Sequence, residues 1–153
     1  MIPRESHEAS SVTDTTPVEV LLVEDSAGDA LLASQVLAEF PLPVRVHIAR
    51  DGSQALQMLA EGSFRPRLII LDLNIPEVSG LQVLERHHSP GVPIVVLSGS
   101  SREIDRNLAI ALGAVEYVQK PTSLHAFRDA LWGMVEKWVF GRPSGAASEA
   151  SVS

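Results

Sequence analysis

No cysteine occurs among the 153 residues, which excludes disulfides, thiolate catalysis and cysteine-ligated zinc. Basic residues are scarce as well: 12 lysines and arginines stand against 19 aspartates and glutamates, a formal net charge of −7. A nucleic-acid partner wants a basic stripe, so that class is set aside. Long apolar runs are missing too. No stretch is long enough to span a membrane, and the polar start, residues 1–17, lacks the apolar segment of a secretory signal. The expectation is a soluble cytoplasmic protein with one domain, because this length builds one respectable core and not comfortably two.

What is present is organised by where the charges fall. Leu21-Leu22-Val23 runs into Glu24-Asp25, Leu68-Ile69-Ile70-Leu71 runs into Asp72, and Val115-Glu116-Tyr117-Val118-Gln119 ends in Lys120-Pro121. Short, nearly continuous apolar runs of this kind read as strands buried on both faces, as in a parallel sheet covered by helices. Open sheets of that type bind ligands beyond the carboxyl ends of their strands, so all four charges gather at one edge. Crowded carboxylates repel one another unless a cation joins them, which points to a divalent metal at that edge.

Between the ends, strands and helices alternate. Strands are expected at Val20–Val23, Val44–Ile48, Leu68–Leu71, Pro93–Leu97 and Val115–Gln119, the second alternating apolar and polar like an edge strand. Ser26 and Asp51 are placed to cap the first two helices, the second ending near Gly62, with Asp29 in the first turn of the first. A third helix follows Ser79, from about Leu81 to His87. Ser100 and Glu103 have the spacing of a capping box for the fourth, running to about Leu112, and the fifth spans roughly Ser123 to Val139. Five such units imply a doubly wound α/β sheet, and right-handed crossovers with a short edge strand favour the flavodoxin-like order 2-1-3-4-5. Residues 1–17 and 141–153 lack periodicity and read as disordered tails, with no output domain after residue 140.

Several motifs in the right order resemble the receiver domain of bacterial two-component response regulators. They are Leu22-Val23-Glu24-Asp25-Ser26, Asp72-Leu73-Asn74-Ile75-Pro76 with Gly80, Leu97-Ser98-Gly99, and Tyr117-Val118-Gln119-Lys120-Pro121, spread over residues 18–140. The resemblance implies a regulator that is not an enzyme toward external substrates. In it Asp72 accepts a phosphoryl group from a phosphohistidine of a sensor histidine kinase. It further implies Mg²⁺ held by Asp25, Asp72 and the Asn74 backbone carbonyl, with Glu24 acting through water. Lys120 supplies a point charge to the phosphoryl group and Ser98 a hydroxyl donor. Pro76 and Gly80 shape the loop after the third strand. Receivers resembling this chain have the Lys120–Pro121 bond cis, aiming the lysine into the site. Ser98 and Tyr117 would form the switch, the aromatic swinging inward as the hydroxyl moves toward the phosphate.

Beyond the site, Phe127, Leu131, Met134 and Trp138 centre one apolar face of the last helix. Trp132 and Val139 fall to one side of it, either packing on a neighbouring helix or forming an interface. The start Val-Glu-Asp-Ser-x-Gly-Asp and the pair Trp138 and Phe140 look similar to small regulators partnered with bacterial phytochromes, which often form dimers through their last strands and helices. A homodimer through Trp132 and Val139 is therefore expected. His7, His47, His87, His88 and His125 suggest solvated roles. Three other readings compete. A haloacid-dehalogenase-type phosphatase needs a second acid where Asn74 stands, and a flavodoxin-type flavin binder needs a phosphate loop where Glu24-Asp25 stands. A degenerate receiver acting only as a docking module would not need Asp25, Asp72 and Lys120 together.

Overall fold

The computed structural model describes residues 16–73, 79–87 and 90–141. Five strands are β1 (Val18–Val23), β2 (Val44–Ala49), β3 (Leu68–Leu71), β4 (Ile94–Ser98) and β5 (Glu116–Gln119). The helices between and after them are α1 (Ala27–Ala38), α2 (Gly52–Ala60), α3 (Gly80–Arg86), α4 (Glu103–Ala111) and α5 (Leu124–Trp138). All strand pairs are parallel, in the order β2-β1-β3-β4-β5. This is the expected flavodoxin-like, doubly wound sheet.

Period-two alternation along the strands divides the core into two layers. Val20, Leu22, Leu68, Ile70, Val95 and Leu97 face α1 and α5, meeting Leu37, Phe40, Phe127, Leu131 and Met134. Leu21, Val23, Ile69, Leu71, Ile94 and Val96 face the other way, toward Ala55, Leu59, Val83, Leu84 and Ala109 of α2, α3 and α4. β3 is buried along its whole length, as a central parallel strand covered on both sides must be. Each fully buried Val, Leu or Ile contributes about 1.5–3 kcal/mol relative to exposure. That is why these strands carry almost nothing polar before their carboxyl ends.

Helix starts follow local chemistry. The side chains of Ser26, Asp51, Ser79 and Ser123 each accept from the backbone N–H three residues on, and Gln82 closes a capping box with Ser79. The box expected at Ser100 and Glu103 does not form. Helix α4 starts behind Arg102, which makes no side-chain cap. The Ser100 hydroxyl instead donates to Asp105 Oδ2 at 2.5 Å and accepts from Arg102 N–H at 3.1 Å. Asp105, further into the helix, offers a charged acceptor, and a charge-assisted bond outcompetes the neutral cap.

Register delivers the acids to one edge. Val23 is level with both Ala49 and Leu71, so β1 and β3 end together. The ladder continues one step further: Glu24 N–H donates to Ala49 O at 2.9 Å and Asp72 N–H to Val23 O at 3.1 Å. At the other side of the edge, Lys120 N–H donates to Ser98 O at 2.7 Å. Gly80 holds α3 tight against this edge. A Cβ there would lie 2.6 Å from Leu73 Cα and 2.7 Å from Asp72 O, so only glycine fits.

Candidate functional site

Backbone pairing fixes where each charged side chain starts, and the side chains then converge. Glu24 and Asp72 are buried at 4% and 8% exposure, while Asp25 is exposed. One carboxylate oxygen of each of the three lies within 4.8 Å of the others, a grouping able to share a metal ion. Opposite them, the Lys120 ammonium reaches Glu24 Oε1 at 2.9 Å, Asp29 Oδ2 at 3.1 Å and Asp72 Oδ2 at 3.4 Å. Its three N–H donors thus face three carboxylates.

Crowding and burial perturb both signs of charge. Burial disfavours the Glu24 carboxylate, and the neighbouring Asp72 charge adds to this, so its pKa lies above the ordinary glutamate value despite the Lys120 bond. Burial works against the Lys120 ammonium as well. There it is outweighed by the Glu24 hydrogen bond, the Asp72 charge and the Asp29 hydrogen bond, and the lysine stays protonated above its usual range. Several acids with one ammonium among them form a pocket that gains from a hard divalent cation, and all-oxygen donors match Mg²⁺ or Mn²⁺.

The hydroxyl and the aromatic are also in place. Ser98 is fully buried, and its Oγ accepts from Ser100 N–H at 3.3 Å. Tyr117 points inward at 5% exposure, its hydroxyl donating to Ser100 O at 2.8 Å. Arg106 of α4 lies over the Tyr117 ring, 5.0 Å from its centroid, and Nη1 donates to Tyr117 O at 3.3 Å. The Lys120–Pro121 bond differs from expectation: no peptide bond among the described residues is cis. Lys120 reaches the acids from a trans bond, because its N–H is already tied to Ser98 O beside the pocket.

Asn74 and Pro76 lie outside the described residues, as do His7, His88 and both distal tails. Trp132 and Val139 are half-buried within the chain. The Trp132 indole N–H donates to Val36 O at 2.9 Å, its ring meets Phe40 edge-on and its face carries Arg128. Val139 packs against the same core layer. His47 is less solvated than its strand position suggested: it pairs with Glu19 Oε1 at 2.5 Å and packs edge-on against Phe64. Sequence reasoning treated Asp29 only as a helix-end charge and did not raise Arg106. Asp29 is in the first turn of α1, where a carboxylate is an ordinary helix-end charge, so its position alone gives no signal of the tie to Lys120. For Arg106 no local pattern gives a signal either.

Residues 20–131 match the family described as "Response regulator receiver domain". Response regulator Rcp1 of Synechocystis sp. is 35% identical over 132 residues, which cover 80% of this chain and 90% of that protein. Among solved structures, the phosphorylated cyanobacterial phytochrome response regulator RcpA superposes with a TM-score of 0.76. It is 31% identical, over 83% of this chain and 97% of its own. The Mn²⁺-bound form of Rcp1 gives a TM-score of 0.71 at 33% identity, over 80% and 94% of the two chains. Other relatives are much longer. The chain spans 26% of a probable cyclic di-GMP phosphodiesterase of Vibrio cholerae, at 36% identity over 74% of its own length.

Proposed function

This chain belongs to the response regulator receiver family, and we propose that within it the protein works as a phosphoryl-accepting switch with Asp72 as the acceptor. The observation that supports this best is the convergence of three clustered carboxylates and the Lys120 ammonium at one sheet edge. Asp72 is the member tied to β3, and an Asp72 oxygen attacks the phosphorus of a phosphohistidine. An O–P bond forms, the N–P bond breaks, and the imidazole leaves with its electron pair. Mg²⁺, held by Asp25 and Asp72, with Glu24 acting through water and the Asn74 carbonyl as the expected further ligand, would offset the charge of the phosphoryl oxygens. Lys120 offers one of its three donors to a phosphoryl oxygen, exchanging a carboxylate for it. Ser98 Oγ now accepts from Ser100, which leaves its own proton available to donate.

The donor must approach along the carboxyl edge. Exposed Leu32 and Leu124 flank a cavity of about 300 Å³ beside Lys120, an apolar landing surface for a sensor histidine kinase. The likeness to RcpA, a cyanobacterial phytochrome response regulator, favours a phytochrome-type kinase as the donor. Downstream, Ser98 and Tyr117 would carry the change to the surface near α4. A receiver spanning residues 18–140 as a cytoplasmic homodimer is the companion proposal, with β5 and α5 as the shared face. Sedimentation of wild type and Trp132→Ala tests it, a monomer throughout counting against it.

Incubation with a small-molecule phosphodonor and Mg²⁺ should add one phosphoryl group, detected by mass spectrometry. Asp72→Asn should abolish it. Label persisting in that variant would assign the nucleophile elsewhere, and an unlabelled wild type would favour a docking module without phosphotransfer.

A further inference from the structure

We infer that Asp29, in the first turn of α1, is a positioning residue for Lys120: its carboxylate keeps the ammonium over Asp72 when other groups claim Glu24. The inference rests on the phosphoryl-transfer reading above and adds a residue to the same site.

Three carboxylates hold the ammonium, and Asp72 holds it least closely, at 3.4 Å against 2.9 Å for Glu24 and 3.1 Å for Asp29. Glu24 and Asp72 also belong to the group of acids that a shared cation would draw on; Asp29 does not. An ion entering the pocket therefore competes with Lys120 for two of its three partners and leaves the third. Asp29 is placed for that part by the helix itself. Its N–H donates to Ser26 Oγ at 3.2 Å, and a carboxylate is favoured at a helix N-terminus. Its side chain is 50% exposed, whereas the Glu24 side chain is almost wholly buried. Asp29 and Lys120 both line the cavity of about 300 Å³, which gives the ammonium room to shift between partners without leaving the site.

Two readouts test this, one of them without metal or turnover. The chain has two lysines, Lys120 and Lys137, so amine acetylation read by peptide mass spectrometry carries its own reference. In metal-free protein Asp29→Asn should raise the reactivity of Lys120 relative to Lys137 by about two- to fivefold, the range of an exposed ion pair. Asp29→Glu should return it toward wild type. With phosphoramidate and saturating Mg²⁺, Asp29→Asn should slow labelling of Asp72 by a similar factor of about two to five. In a Lys120→Gln background the same substitution should change nothing further, since a positioning residue acts only through its partner. Unchanged lysine reactivity and rate in Asp29→Asn, with wild type labelled normally, overturns the inference and leaves the phosphoryl-transfer reading standing. Faster labelling also overturns it, because Asp29 would then be withholding the ammonium. A wild type that takes no label overturns both.

Discussion

Helices α4 and α5 flank the β5 edge of the sheet from opposite faces, and the sheet holds them very differently. Helix α5 runs 15 residues, is capped by Ser123, and buries Phe127, Leu131, Gly133, Met134 and Val135. Helix α4 runs nine residues without a side-chain cap and buries only Ala109. Ile104, Leu108 and Ile110 lie exposed along it. Aromatic packing deepens the contrast, since Phe40, Trp132 and Phe140 lock α1 and the end of α5 together. On the α4 side, Tyr117 is the one buried aromatic of its layer among the described residues. Few buried apolar contacts mean a low cost of local opening. The anchored helix closes one core layer, while the lightly held one carries Arg106 and Asp105, the residues that touch Tyr117 and Ser100.

The largest test of that contrast is a matched pair of truncations. Leu131→Ala in α5 should cost about 2–5 kcal/mol, because it opens a cavity in a closed layer. Leu108→Ala in α4 should stay within about 0.5 kcal/mol, as expected for an exposed position. Urea unfolding of both variants reads the difference, and similar losses would erase the distinction between the helices.

A second substitution asks where the lighter layer cannot yield. Helix α3 lies in that layer, yet Gly80 touches the backbone of Leu73 and Asp72. Gly80→Ala should cost about 1–3 kcal/mol through overpacking. It should also weaken Mg²⁺-dependent stabilisation in thermal melts, because the Asp72 backbone has to move. A stability loss with the Mg²⁺ response intact would show that α3 shifts instead of the pocket.

Smaller still is the effect of removing the clamp on Tyr117. A guanidinium over an aromatic face contributes about 0.5–1 kcal/mol at a partly exposed site. Arg106→Ala should therefore cost about 1 kcal/mol, counting the bond to Tyr117 O. Its signature is regional: hydrogen exchange should quicken in α4 and β5 and stay unchanged in α5. Uniform quickening would mean that Arg106 supports the whole fold.

These contrasts explain what could be read from the sequence. Strand order, the sheet edge and the meeting of Glu24, Asp25, Asp72 and Lys120 follow from apolar runs and the residues that end them. Such patterns reflect burial on both faces, which few residue types satisfy. Features decided by side-chain competition were not legible in the same way. Ser100 had the spacing of a cap, yet Asp105 took its hydroxyl. Trp132 looked surplus to one core, yet the Val36 carbonyl and Phe40 gave it an internal place. Asp29 read as a helix-end charge because its tie to Lys120 joins positions 91 residues apart.

The smallest expected effect concerns the acidic pocket at the sheet edge, and its sign follows from Glu24. Burial raises the pKa of this carboxyl above 4.5, so the folded state binds its proton more tightly than the unfolded chain does. Stability from this group is therefore greatest below that value and falls as pH rises through the interval up to the raised pKa; above it the deficit is constant. Glu24→Gln keeps an acceptor for Lys120 and removes the titration. In chelator, the variant should match wild type near pH 4.5 and gain on it as pH rises toward 8, read as the difference between urea midpoints. Lys120 does not disturb this window, because its own contribution is lost only as pH rises past the ordinary lysine value and through its raised one. Excess Mg²⁺ at pH 8 should reverse the order, since the cation rewards the carboxylate that burial penalises. A midpoint difference that ignores pH would mean that Lys120 neutralises Glu24 completely. The acid side of the pocket would then be as settled without a cation as α5 is in its layer.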